Sequence, residues 1–316
     1  MGKYLVITEQ KNNYFFPYIN SSNIVVEKAY KTEKKVSVFM MKFLRKFGLD
    51  FSKYVTSFNT GEMVDGVVYF DISCDYRNLP YVKGNNKDVR LFIWNKVDDF
   101  LGRLKKENAS ADMEYVKNCF DRVYSFDIED CKKYDLEYYP PVYSFEVPTK
   151  SGDKKYDVVF LGAEKGRLSQ LEEIYSMINC YGYVQKYHIF KNDAPIIDSE
   201  GFNLTSKRVF YNDYLGWVAK SKAILDIPQN GQEGFTIRVL ESIFLQKKLI
   251  TTCKRIKNCK IYNENNIFII GEDDENKFRD FMMSPYVPLD GEVLSCYSFD
   301  NWVHNMFSDI KIEEGI

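Results

Sequence analysis

Short apolar runs alternate with longer stretches of helical periodicity along most of the chain. In the first half the runs fall at 4–8, 23–27, 67–72, 89–94 and 122–126, each rich in β-branched or aromatic residues, and they predict strands. Several are apolar without alternation, the pattern of strands buried on both faces. Between them, 34–47 places Val38, Met41, Phe43, Leu44 and Phe47 near helical spacing, and 96–106 is a second amphipathic stretch. Alternation of this kind predicts a parallel sheet with helices on both faces.

The pattern then breaks. Tyr139-Pro-Pro-Val142 reads as extended chain, because a residue before proline avoids the helical region. The segment 149–155 is polar and turn-prone, which puts a domain boundary near residue 150. Beyond it the alternation restarts, with strands predicted at 156–161, 183–190, 223–227, 248–252 and 267–270. Helices are predicted at 164–179, 213–220, 235–244 and 297–307. The expected organisation is α/β: doubly wound units over 1–150 and 151–290, and a final helix within 291–316. In doubly wound units the C-terminal ends of the strands carry the ligand site, so a cleft between the two is expected to hold it.

Composition narrows the function classes. The 316 residues suffice for about two domains. With 45% hydrophobic and 28% charged residues, a disordered chain is excluded. Lys plus Arg number 43 and Asp plus Glu 45, a net charge of −2, so no nucleic-acid partner is expected. No run approaches the ~20 apolar residues of a membrane span. The first apolar run, 4–7, is too short for a signal-peptide core, which points to the cytoplasm. The seven scattered cysteines fit neither a zinc knuckle nor a redox pair and read as reduced thiols in or near cores.

The chemistry concentrates in 226–241. A buried strand ends at Asp226, a loop with Gly231 and Gly234 follows, and a helix begins near Thr236. A helix N-terminus offers free N–H groups and partial positive charge, so it can cradle a phosphate, and the glycines let backbone approach the ligand. Arg238, in the first turn, can pair with a diphosphate. Glu233 and Glu241 can look into the same pocket, and a carboxylate is a bidentate acceptor for the two hydroxyls of a ribose.

These residues carry a resemblance. Glu233-Gly-Phe-Thr-Ile-Arg-Val-Leu-Glu241, followed by Lys247-Lys-Leu-Ile-Thr251, resembles the donor-site signature of GT-B glycosyltransferases. The wider pattern is similar to bacterial capsular polysaccharide and lipopolysaccharide glycosyltransferases, through Gln232, Gly234, Thr236, Arg238 and Glu241 and through Gly162, Lys165, Gly166, Arg167 and Leu168. Tyr262, Asn266, Ser284-Pro-Tyr286 and, thinly, 127–134 add to it. Two positions depart from the commoner signature: Thr236 stands where Gly is usual, and Gln246 stands where Gly precedes the Lys.

The resemblance implies a GT-B fold of two Rossmann-like domains facing a cleft, the first binding the acceptor, the second the nucleotide-sugar donor. It also implies a closing helix, with Trp302, that returns to the first domain. Glu241 would bind the ribose; Lys165, Arg167, Arg238 and the helix N-terminus would hold the diphosphate. Gln232, Glu233 and Gly234 would lie near the sugar, with Gly162 in the neighbouring turn. The acceptor would be a glycan, on a polyprenyl lipid where the polysaccharide is built at the inner face of the membrane.

No Asp-x-Asp pair stands between a strand and a helix, and Asp273-Asp274 reads as a surface loop, so transfer without metal or other cofactor is expected, cations and a helix terminus taking the departing charge. An inverting reaction needs a base from the acceptor side. His188 and His304 both lie outside the first half, which leaves carboxylates: Asp71 at a strand end is the candidate, with Asp65 and Asp127 behind it. Trp94 and Asn95 either border an acceptor groove or pack in the core. The segment 31–47 interleaves Lys31, Lys34, Lys35, Lys42, Arg45 and Lys46 with apolar residues. It fits either a core-facing helix with a solvated basic side or peripheral contact with an anionic membrane. Two other readings of the whole chain stand beside glycosyl transfer: a nucleotide-sugar epimerase of the same fold, and a non-catalytic glycosyltransferase-like subunit that binds a partner enzyme.

Overall fold

The computed structural model describes residues 2–9, 21–32, 35–58, 64–86, 88–143, 153–192, 197–199, 201–308 and 310. The chain divides into two compact units. The first runs to Pro140 and takes in the chain again from Asp300; the second runs from Pro141 to Phe299. The division falls at the Pro140-Pro141 pair. Most of the expected linker, 149–152, lies outside the described residues.

In the first unit β1 (Tyr4–Ile7), β2 (Ile24–Glu27), β3 (Gly66–Phe70), β4 (Val89–Ile93), β5 (Arg122–Ser125) and β6 (Glu137–Tyr138) form one sheet in the order β2-β1-β3-β4-β5-β6. Every pairing is parallel. Helices α1 (Lys35–Lys46), α2 (Val97–Glu107), α3 (Met113–Cys119) and α4 (Ile128–Tyr134) lie among them. Residues of β3 and β4 are all buried, because side chains alternate between two covered faces. Val67, Tyr69, Val89, Leu91 and Ile93 pack with Val97, Phe100, Leu104 and Val116 of α2 and α3.

In the second unit β7 (Tyr156–Ala163), α5 (Leu168–Cys180), β8 (Gln185–Phe190), β9 (Ile197–Ser199), β10 (Phe202–Thr205), α6 (Tyr211–Ala219), β11 (Ser221–Asp226), α7 (Ile237–Phe244), β12 (Lys248–Thr251), β13 (Ile267–Ile269), α8 (Phe278–Met283) and α9 (Gly291–Cys296) follow in turn. The sheet order is β13-β12-β11-β7-β8-β10-β9, parallel except for the edge strand β9. One face packs Val158, Phe160, Tyr187 and Leu225 against Leu171, Ile174 and Ile178 of α5. The other packs Val159 and Ile224 against Tyr214 and Val218 of α6.

The last helix, α10 (Phe299–Phe307), covers the second face of the first unit's sheet. Trp302 is fully buried, its ring 5.8 Å from Phe70, 4.9 Å from Phe92 and 5.2 Å from Tyr139. Its Nε1 donates to the Pro140 carbonyl at 2.7 Å, and Arg90 of β4 donates to the Met306 carbonyl. A return of the chain thus supplies the second layer that buries β3 and β4, Arg90 included.

Candidate functional site

In the second unit the chain builds outward from β7 through β8 to β10, returns to lay β11 beside β7, and continues to β12 and β13. Connections leave β7 and β11 in opposite directions, which opens a crevice at the C-terminal ends of those strands. The turn after β7 and the loop after β11 hold the predicted donor residues.

The turn after β7 is tighter than the predicted helix start at 164 allowed. Lys165 and Gly166 both have left-handed backbone, at φ 42° and 76°, and α5 begins only at Leu168. The reversal folds Arg167 back over its own strand. Its Nε and one terminal nitrogen donate to the Ala163 carbonyl at 3.2 and 3.0 Å, and its other terminal nitrogen donates to the Ile227 carbonyl beyond β11. Arg167 therefore clamps the two sides of the crevice. A Cβ at Gly162 would stand 2.8 Å from the guanidinium and from the Phe160 ring, so a larger residue there would displace these side chains. Burial lowers the Arg167 pKa, with Asp226 opposing and Arg238 adding to the shift. Lys165 reaches across, its Nζ 2.8 Å from Gln229 Oε1.

The loop after β11 is tied at its base. Asp226 is buried; Thr236 Oγ1 donates to its Oδ1 at 2.7 Å and Thr251 Oγ1 to its Oδ2 at 2.9 Å. Thr236 also caps α7, accepting from the Arg238 N–H at 3.0 Å. The departure from Gly at this position thus has a structural use: one hydroxyl joins the strand end to the helix start. Gln232 donates to the Gly234 carbonyl at 3.1 Å, and Glu233 is exposed at the loop's outer side.

One turn into α7 lies an ion pair, Arg238–Glu241, whose carboxylate is buried. Glu241 is fully buried and not a helix-surface carboxylate; Lys248, its conceivable surface partner, is bonded instead to the Asn265 carbonyl and Ser284 Oγ. Glu241 Oε2 accepts from Arg238 and, at 3.0 Å, from the Tyr214 hydroxyl. Arg238 lies 4.2 Å over the Tyr214 ring, a cation–π contact that fixes the guanidinium plane. Glu241 Oε1 is buried with no hydrogen-bond partner among the described residues. Burial raises the Glu241 pKa against the lowering effect of Arg238. For Arg238, burial disfavours the charge, but Glu241, Tyr214 and Tyr211 outweigh it and the pKa is raised. Behind the pair, Tyr211 and Tyr143 share a 2.6 Å hydroxyl contact. The sequence gives no signal for these tyrosines among 24.

The first unit treats its predicted residues differently. Asp71 follows β3 and is fully buried, and its carboxylate accepts from the Trp94 N–H at 2.8 Å, Asn95 Nδ2 at 2.9 Å and Arg103 at 2.6 Å. These bonds join the end of β3, the end of β4 and α2; burial raises the Asp71 pKa against Arg103. Asp127 is also buried, capping α4 and paired with Lys96 at 3.1 Å, while Asp65 accepts from the Lys3 N–H at 2.7 Å. Trp94 is half-buried against Phe70 and Phe92. His304 corrects an expectation, because α10 brings it into the first unit. Its ring meets Tyr4 at 5.2 Å, at the start of β1, the end of the sheet opposite to where such folds bind ligands.

No protein-family model matches the chain, and no curated protein sequence matches it. Solved structures do. Sucrose-phosphate synthase from Thermosynechococcus elongatus superposes at a TM-score of 0.55 with 8% identity, covering 98% of each chain. An α-glucosyltransferase in complex with UDP and a 13-mer DNA with a central A:G mismatch gives 0.53 with 8% identity, over 98% of this chain and 99% of that one. A UDP-forming trehalose-phosphate synthase from Burkholderia xenovorans gives 0.50 with 9% identity, over 98% of each. The fold is therefore α/β and GT-B, with two Rossmann-like units. No helix among the described residues is long and apolar enough to cross a membrane.

Proposed function

We propose that the chain is a glycosyltransferase that moves a sugar from a nucleotide-sugar donor to a glycan acceptor, with the donor held by the second unit. The observation that carries this reading is the Glu241 carboxylate. It is buried in the first turns of α7 at the switch point and oriented by Arg238 and Tyr214, and its Oε1, closed off from solvent, would meet a ligand once the loop after β11 opens. A carboxylate so placed suits a ribose diol. Lys165, Arg167 and the N-terminus of α7 then face the diphosphate, and Gln232, Glu233 and Gly234 lie along the sugar. Arg238 acts in this reading through Glu241, as its partner. The departing diphosphate charge is taken by fixed cations and the helix terminus, without metal. The neighbour bound to UDP and the UDP-forming neighbour make UDP the first probe. A lipid-linked acceptor in bacterial capsule or lipopolysaccharide synthesis is the finer part of the proposal and rests on the sequence resemblance.

The test is calorimetric titration of nucleoside diphosphates, beginning with UDP, with and without EDTA. Glu241→Ala would leave the largely enclosed Arg238 without its carboxylate and disturb the fold, so the informative variants are Glu241→Gln and the exposed Lys165→Ala. The expected result is EDTA-insensitive binding of one nucleotide, weakened about tenfold or more by Glu241→Gln, a loss of ~1.4 kcal/mol. Folded protein that binds no nucleoside diphosphate overturns the donor site. Conversion of a bound nucleotide sugar to its epimer without an acceptor overturns glycosyl transfer.

A further inference from the structure

Helix α1 has two faces of opposite fate. The inner one is fixed: Met41 is buried with Phe51 and Val55, Leu44 packs beside them, and Arg45 pairs with Asp75 at 3.0 Å and lies 5.3 Å over Tyr30. The outer face carries Val36, Phe39, Met40, Phe43 and, just past the helix, Phe47. At ~100° per residue these positions fall in one stripe about 100° wide. The side chains are open to solvent, Val36 at 73%, Phe39 at 69% and Phe47 at 59% exposure. Gly48 ends the helix with left-handed backbone (φ 66°), and the Leu49 N–H returns to the Leu44 carbonyl at 2.9 Å. That closure extends the patch with the half-exposed Leu49. Soluble surfaces rarely keep so many large apolar side chains contiguous unless something covers them.

We infer that this face docks on an anionic lipid bilayer. Charge complementarity selects the occupant. The helix has no acidic residue, and Lys35, Lys42 and Lys46 stand exposed along one flank of the stripe. Lys35 and Lys42 have no ion-pair partner among the described residues, in a chain whose net charge is −2. A helix with an apolar face and a lysine rim lies in the headgroup plane, rings inserted and ammonium groups among phosphates. A second copy of the chain is disfavoured by the same rim, since a two-fold contact through the stripe sets the lysines against themselves. The inference does not rest on the glycosyl-transfer reading.

The experiment is co-sedimentation of the full chain with vesicles of phosphatidylcholine alone and of an equal mixture of phosphatidylcholine and phosphatidylglycerol. Expected is binding to the mixed vesicles that falls with added salt. Phe39→Ser with Phe43→Ser, or Lys35→Glu with Lys42→Glu, should weaken it by about tenfold or more. All four side chains are exposed, so the variants keep their fold, as circular dichroism should verify. No sedimentation of the wild type with mixed vesicles overturns the inference. Equal binding of the phenylalanine double variant does so too, as does equal binding to phosphatidylcholine alone. A concentration-dependent dimer in light scattering, abolished by Phe39→Ser, would assign the face to a second copy and overturn it as well. Activity is not the readout, so failure here leaves the donor-site test untouched.

Discussion

Gln246 is held at φ 50° where α7 ends, its successor Lys247 donating back to the Ser242 carbonyl at 2.8 Å. A side chain in this left-handed position costs ~1 kcal/mol, which explains why glycine is usual there in the signature the sequence resembles. Gln246→Gly should therefore stabilise the protein by roughly 0.5–1 kcal/mol, read from the urea midpoint. Tyr187 presents the opposite case of a tolerated cost: its hydroxyl is fully buried with no hydrogen-bond partner among the described residues. Tyr187→Phe should leave stability unchanged or raise it by up to ~1 kcal/mol, and a loss above that would mean an unseen partner. Asp226 adds a pH dependence. Burial raises its pKa above 3.8, against the hydroxyls of Thr236 and Thr251. A carboxyl that holds its proton more tightly when folded contributes most below that pH, and the contribution is lost as pH rises through the folded value. Relative to Asp226→Asn, wild-type unfolding free energy should thus fall in urea titrations as pH rises past the ordinary carboxylate value of 3.8. Of the candidate site, Glu241 and Arg238 were singled out from residue type and spacing, whereas Arg167 and Gly162 entered only through the resemblance. That Arg238 binds Glu241 rather than facing outward was not legible, because an ion pair one turn apart looks the same in sequence whether solvated or buried.

At the scale of elements, strands and long amphipathic helices were readable because burial on two faces leaves an apolar run and one-sided burial leaves a stripe. What escaped were α3, α4, α8, α9, β6, β9 and β10, short pieces whose pattern spans too few residues to establish a period. The start of α5 moved from 164 to Leu168 because the left-handed turn at Lys165-Gly166 is set by where Arg167 must reach. Helix α10 is the element with most to lose. Trp302→Ala removes the ring against which Phe70, Phe92 and Tyr139 pack, and should cost ~3–5 kcal/mol, measured as a lowered urea midpoint for the first unit. Helix α1 shows the limit of periodicity: of the residues at helical spacing, Met41 and Leu44 turn inward, whereas Phe43 and Phe47 stand in solvent with Val36, Phe39 and Met40.

For the whole molecule, each of the two units folds around a core of its own. Hydrogen exchange with saturating UDP should show added protection at 162–168 and 226–241 in the second unit, and protection confined to the first unit would move the donor site. The amino-acid sequence by itself determined the α/β class, the two doubly wound units and the segment that carries the candidate chemistry. Each of these is local: a run of buried residues, a cap, a glycine. The tertiary structure decided which atoms meet. It drew α10 with His304 into the first unit, buried Asp71 under Arg103, sank Glu241 beside Tyr214, and turned the phenylalanines of α1 outward. Those outcomes depend on which helix covers which sheet face, and contacts between residues far apart in the chain leave no period in the sequence to read.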